Sequence, residues 1–195
     1  MTAPVSADVS PGAGVPRQKL ALVDGRCATI RPVLPADAAL EQAFVRSLSA
    51  ASRRNRFHGA INELTDRMLR YLTCVDQRKH VGLVLTVEQD GAEAVIGDAR
   101  YVVEADGETA EIAVAVSDAW QGLGLARRLI EALVRTAKAS GLCRLVGEVL
   151  ASNARTLTFI ERCGFVRSTR GAEPGVVAVQ RTLVSHPAAR HRGNS

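Results

Sequence analysis

The chain has 195 residues, 47% of them apolar and 23% charged, with a formal net charge of +5. That is enough chain for one domain with its own core, and the composition is that of a globular protein. No run of about 18 or more uncharged apolar residues is present, so no bilayer-spanning helix is expected, and aromatic residues are only 4% of the chain, which leaves few candidates for base stacking.

The positive charge is partly terminal. Arg17 and Lys19, offset by Asp8, and Arg190 and Arg192 carry more than half of it. The mildly basic body suits a phosphorylated small ligand equally well, and a strongly basic nucleic-acid surface would need more charge, so neither nucleic acid nor membrane is an expected partner. "MTAPVSADVSPGAGVPRQK" lacks the apolar stretch of a secretory signal, and the expected location is the cytoplasm. Residues 1–19 and 186–195 read as disordered tails around one domain over residues 20–185. Cys27, Cys74, Cys143 and Cys163 are too far apart in sequence for a metal knuckle or a redox pair. They read as buried, reduced thiols, and no metal is expected.

Periodicity predicts the elements in order. "RCATIRPV" is a strand. "PADAALEQAFVRSLS" is a helix with Leu40, Phe44 and Leu48 four apart, and "TDRMLRYLTCV" is a second helix with Thr65 as its N-cap. "KHVGLVLTVEQ" and "EAVIGDARYVVEA" are strands joined at Asp90-Gly91, and "ETAEIAVAVS" follows a turn at Asp106-Gly107. A glycine-rich turn then opens a long helix that Gly141 closes. After it come the strand "CRLVGEVLA", the helix "NARTLTFIERC" and the strands "FVRSTR" and "GVVAVQRTLV". This predicts an α/β (α+β) fold, a mixed and mostly antiparallel sheet of six to seven strands with about four helices. One right-handed strand–helix–strand unit over residues 111–150 supplies a central parallel pair.

The glycine turn, Gln121-Gly122-Leu123-Gly124-Leu125-Ala126, carries the first functional signal. A Walker A loop needs Lys and then Ser or Thr after its last glycine, and Leu125 and Ala126 stand there. The dinucleotide fingerprint needs glycine where Arg127 stands. Two readings remain: a turn whose consecutive N–H groups cradle a pyrophosphate at a helix N-terminus, and a tight turn that binds nothing.

These residues resemble the GNAT N-acetyltransferase superfamily, whose acyl-CoA signature (Q/R)-x-x-G-x-(G/A) is met by Gln121 to Ala126. The preceding "AEIAVAV", the long helix and the later "SNARTLTFIERCGF" are similar to the family's surrounding elements, and the resemblance covers roughly residues 26–184. Within the superfamily the chain most resembles the acetyltransferase domain of Pat-type bacterial protein lysine acetyltransferases. Their S-R-x-x-R-F pattern is met by Ser52, Arg53, Arg56 and Phe57, followed by Leu72-Thr73, Asp76 and His80, and "GAEPGVVAVQRTL" is similar to their closing segment. Many Pat proteins carry an acyl-CoA-synthetase-like or nucleotide-sensing domain; none is expected within these 195 residues, and regulation by such a domain is not carried over.

The resemblance implies an enzyme that transfers acetyl directly from acetyl-CoA, as co-substrate, to an amine. Alternation in "EIAVAV" sets Glu111, Ala113 and Ala115 on one face and Ile112, Val114 and Val116 on the other. On alternation alone Glu111 is either a solvated residue at a strand start or a carboxylate lining a cleft; the resemblance makes Glu111 the general base. It also implies that the backbone of Val114, Ala115 and Val116, where strand pairing is expected to break, contacts the pantetheine, that residues 121–127 (Gln121, Gly122, Leu123, Gly124, Leu125, Ala126, Arg127) hold the pyrophosphate, and that Asn153 makes a second CoA contact. Asn153 is equally an N-cap. Arg127, Arg128 and Arg155 are either 3′-phosphate contacts or a solvated helix face. Ile160 stands where many GNAT enzymes have the Tyr that protonates the leaving thiolate, so the general acid is unassigned. His58 and His80 lie on the amine side.

The acceptor implied is a protein lysine, with an acyl-CoA-synthetase-like enzyme as one candidate partner. A small amine (polyamine, amino acid or aminoglycoside) is the alternative, and a non-catalytic acyl-CoA sensor is a third reading. Acyl length and oligomeric state are not specified.

Overall fold

A computed structural model describes residues 17–22, 25–59, 61–168 and 174–183. They form one eight-stranded sheet covered by helices on both faces. The strands are β1 (Gln18–Ala21), β2 (Cys27–Pro32), β3 (His80–Gln89), β4 (Ala92–Val103), β5 (Thr109–Val116), β6 (Arg144–Leu150), β7 (Val166–Ser168) and β8 (Val176–Thr182). Their order is β1-β2-β3-β4-β5-β6-β8-β7. Every neighbouring pair is antiparallel except β5–β6, the predicted parallel pair. Helices α1 (Ala38–Ser47), α2 (Ala50–Phe57) and α3 (Asp66–Thr73) link β2 to β3. Helix α4 (Leu125–Ala139) crosses from β5 to β6, and α5 (Ala154–Arg162) leads from β6 to β7.

Two apolar layers sandwich the sheet. On one face the α4 stripe Leu125, Leu129, Ile130, Leu133 and Ala137 joins Leu157 and Ile160 of α5 over Val81, Leu83, Leu85, Ala99, Tyr101 and Leu145. On the other, Phe44 and Val45 of α1 and Leu72 of α3 pack on Val33, Val84 and Val95. The helix stripes follow the 3–4 spacing that turns one face to the core. Strand β3 is buried on both faces and so reads as an unbroken apolar run.

One irregularity places the site. In β4, Gly97 pairs with Leu85 and Val95 with Thr86, so Ile96 is an extra, bulged residue. Its carbonyl accepts the Ser117 N–H at 2.8 Å, which fixes where β5 stops and the glycine turn begins.

The structure differs from the sequence reading in several elements. An eighth strand, β1, takes Gln18 and Lys19, which were expected in the N-terminal tail. It is a short edge strand whose existence depends on pairing with β2, which a four-residue window does not reveal. A fifth α-helix, α2, was not predicted: "AASRRNRF" has no apolar stripe and buries no residue. Helix α1 ends at Ser47, with Leu48 in extended conformation. Cys27 and Cys74 are exposed and only Cys163 is buried, so the expectation of four buried thiols fails. Residues 1–16 and 186–195 of the predicted tails, Thr169 and Arg170 of the strand "FVRSTR" and Val184 of "GVVAVQRTLV" lie outside the described residues. No helix among the described residues is long and apolar enough to cross a membrane.

Candidate active site

The parallel ladder between β5 and β6 is short. It joins Thr109, Ala110 and Glu111 to Arg144, Leu145 and Val146 and then stops. Beyond it β5 continues along β4 as far as Val116, while β6 continues along β8 as far as Leu150. The two central strands therefore part like a V, and the backbone of β5 after Glu111 has no strand on its β6 side. The predicted break in pairing is present and begins earlier than Val114. Gly147 sits where the strands start to diverge: a Cβ there would lie 3.3 Å from Ile112 Cγ1.

The V opens into a cleft of about 1150 Å³. Glu111 and residues 112–116 line one wall, the glycine turn and the start of α4 close one end, Asn153 and α5 form the opposite wall, and α2 lies across the third side. Of the residues expected to hold the co-substrate or act as base, Leu123 and Arg128 do not line the cleft, and of His58 and His80 only His58 does; the Leu123 side chain is exposed. Strand alternation sorts β5 as expected. Ile112, Val114 and Val116 belong to the layer under α4 and α5, and Ala115 packs with the layer under α1 and α3. Glu111 shares that second face, is exposed, and sits at the point of the V.

The glycine turn is built on two left-handed residues. Gly122 and Gly124 hold φ of 82° and 75°, the left-handed region, and a Cβ at either would meet nothing within 4 Å. Gly124 is the N-cap of α4 and offers no side-chain acceptor, and the first turn of α4 contains no acidic residue. The first N–H groups of a 15-residue helix thus face the cleft end without a side-chain cap. Trp120, just upstream, is buried with the Arg26 guanidinium 3.9 Å from its ring centroid.

Asn153 caps α5: its side chain accepts the Thr156 N–H at 3.0 Å while lining the cleft. Arg127 pairs with Glu131 at 3.0 Å and Arg128 with the same carboxylate at 3.6 Å, as residues of one helix surface. Ile160 is buried and lines the cleft, so no proton donor stands at that position.

The S-R-x-x-R-F residues act mainly on the protein itself. Ser52 Oγ donates to Asp118 at 2.8 Å. Arg53 donates to the Leu48 carbonyl at the end of α1. Arg56 donates to Asp98 at 2.9 Å, and Phe57 packs with the α1–α3 layer. Asp98 is fully buried and is also paired with Arg100. Burial alone would raise its pKa, but Arg100 and Arg56 hold it well below the ordinary carboxylate range. Glu41 lies 3.9 Å from Arg100 with Oε1 lacking a hydrogen-bond partner, and burial together with the Asp98 charge pushes its pKa up. His80 lies against Arg100 at 3.3 Å; burial, then Arg100, lowers its pKa to about 4, so its ring is neutral at pH 7. His58 caps α2 in the left-handed conformation and reaches within 3.9 Å of Glu148 on β6, both of them in the cleft wall.

Sequence reading missed Asp98, Arg100, Glu41, Asp118 and Glu148. The first two carry a faint signal, charges inside the strongly apolar run "AVIGDARYVV", which requires buried partners. Asp118 and Glu148 carry none.

Residues 43–165 match the acetyltransferase (GNAT) family. The acetyltransferase PA5475 of Pseudomonas aeruginosa is 32% identical over 145 residues, covering 74% of this chain and 78% of that protein. The acetyltransferase Pat of Mycolicibacterium smegmatis is 33% identical over 138 residues, 70% of this chain but only 40% of that longer protein. Among solved structures, the GNAT domain of S. lividans PAT superposes with a TM-score of 0.78 at 30% identity, covering 86% of this chain and 97% of that one. With a cleft between parting central strands and an uncapped helix N-terminus at its end, the chain belongs to the GNAT acetyltransferase family, an enzyme with acetyl-CoA as its co-substrate.

Proposed function

We propose that the protein acetylates a lysine ε-amine of another protein by direct transfer in a ternary complex, with Glu111 as general base. The observation that carries this reading is the placement of Glu111: an exposed carboxylate at the point of the V, on the sheet face opposite α4 and α5. Similarity to proteins named Pat supports a protein acceptor.

Acetyl-CoA supplies a thioester-activated acetyl group. In this reading residues 121–127 hold the pyrophosphate, the unpaired edge of β5 at Val114, Ala115 and Val116 holds the pantetheine arm, and Asn153 adds a contact from the opposite wall. A lysine ammonium has a pKa near 10.4, so presenting it as the neutral amine at pH 7 costs about 4.6 kcal/mol. Glu111, directly or through one water, takes that proton and passes it to solvent. The amine nitrogen then bonds to the acetyl carbon, the carbon–sulfur bond breaks, and the second proton lost by nitrogen balances the one gained by the thiol. Ile160 donates nothing to that thiol, so water delivers its proton. The enzyme is read as one cytoplasmic domain that begins at β1, with an acyl-CoA-synthetase-like protein as a candidate acceptor.

The test is a labelling experiment in cell extract. Isotopically labelled acetyl-CoA is added with the protein, and label is followed by mass spectrometry. Label on particular protein lysines, above an enzyme-free control, supports the reading. Label confined to polyamines, amino acids or other small amines refutes a protein acceptor.

A further inference from the structure

We infer that Asp118 is a positioning residue that couples the acyl-donor turn to α2, the acceptor-side wall of the cleft. This rests on the reading that residues 121–127 hold the donor. Helix α2 has no buried residue, and its apolar contribution is the half-buried Phe57. Polar contacts hold it instead. At its C-terminal end Arg56 is anchored on buried Asp98. At its N-terminal end three donors converge on the Asp118 carboxylate: the Ser49 N–H at 2.8 Å, Ser49 Oγ at 2.9 Å and Ser52 Oγ at 2.8 Å.

Asp118 belongs to the donor side of the cleft. It opens the short 3₁₀ turn Asp118–Trp120 between the end of β5 and Gln121. Gln121 repeats the link, donating through Nε2 to the Val116 carbonyl at 3.2 Å and to Ser52 Oγ at 3.4 Å. The start of α2 is thus fastened to the segment that leads into the glycine turn, and through Arg53 to the Leu48 carbonyl at the end of α1. Partial burial opposes its ionisation, yet the Ser49 N–H and the Ser52 and Ser49 hydroxyls hold the Asp118 carboxyl below the ordinary carboxylate range, so it is charged at neutral pH. These contacts are solvent-exposed, the kind that opens and closes readily.

A ligand that fixes the turn fixes the acceptor atoms of Asp118, and with them the first turn of α2. By linkage, ordering α2 favours the ligand equally. The Ser52 of the S-R-x-x-R-F pattern therefore serves as a latch between donor and acceptor sites.

Hydrogen–deuterium exchange of the full chain with and without CoA tests this. In the wild-type protein CoA is expected to slow exchange at residues 122–127 and, about tenfold, at residues 49–57. In Asp118→Ala saturating CoA is expected to protect the turn while the response of residues 49–57 is lost. Ser52→Ala keeps Asp118 and every residue of the donor turn, with Gln121 still bonded to the Val116 carbonyl, and is expected to diminish the same response, which keeps the test sharp if Asp118→Ala folds poorly. A wild-type helix that ignores CoA while the turn responds overturns the coupling, as does an Asp118→Ala helix that responds fully. A wild-type turn that ignores CoA overturns the donor site itself, and the coupling with it.

Discussion

Replacing Gly124 by Ala separates the conformational cost of the glycine turn from its role as an anion cradle. The added methyl meets nothing within 4 Å, so no steric clash enters. What remains is the backbone. A φ of 75° costs an L-residue about 1–2 kcal/mol, and the stiffer unfolded chain returns about 0.4–1 kcal/mol. The net loss is about 1 kcal/mol, or about 2–4 °C in Tm for a chain of this size. Gly91, in the β3–β4 hairpin, has a φ of 77° and equally open space, and Gly91→Ala should lose as much. The two variants should differ in acetyl-CoA affinity. If Gly124 relaxes toward φ < 0, the N–H groups at the start of α4 turn away from the phosphate. Losing one charge-assisted hydrogen bond of about 1.5–3 kcal/mol weakens binding at least about tenfold. Thermal unfolding and titration calorimetry on both variants make the comparison. Equal Kd values for acetyl-CoA in Gly124→Ala and Gly91→Ala would refute the cradle.

Three further predictions concern residues that hold the cleft in shape. Asp98→Asn strips the charge that compensates Arg56 and Arg100 and should cost about 3–5 kcal/mol, seen as a lower midpoint in urea. Because the folded pKa of Asp98 is depressed, its stabilisation is present above the ordinary carboxylate pKa and is lost as pH falls through the folded value; the same substitution should flatten that part of the acid limb of the stability profile. Leu133→Ala, at a fully buried position of α4, should cost about 2–5 kcal/mol without altering the pH profile of the remaining activity. Asn153→Ala removes the α5 N-cap and should cost about 1 kcal/mol; acetyl-CoA binding weakened beyond what Gly91→Ala shows would establish Asn153 as a contact as well as a cap.

What the sequence revealed depended on whether a residue's role is local. Alternation in "EIAVAV" set Glu111 on the face opposite Ile112, Val114 and Val116 because the β5 neighbours are large and apolar on one side and small on the other, and period two reports that directly. The stripe of α4 and the glycines before it were legible for the same reason. Helix α2 was not: it is held by Arg56 reaching Asp98 and by Ser49 and Ser52 reaching Asp118, partners that no window of adjacent residues contains. The bulge at Ile96 was hidden because "AVIGDARYVV" is apolar enough to pair in either register. A break in strand pairing was expected at Val114–Val116 from the family resemblance; that it is a V between β5 and β6, opening already after Glu111, depends on how β6 pairs with β8, which no local window contains.

The measurement closest to the central claim is acetyl transfer by Glu111→Gln. With labelled acetyl-CoA at saturation, the rate of protein lysine labelling should fall at least about 100-fold relative to wild type, with the Kd for acetyl-CoA unchanged, since the carboxylate acts on the amine and not on the donor. Equal labelling by the two proteins would contradict the assignment of Glu111 as the base.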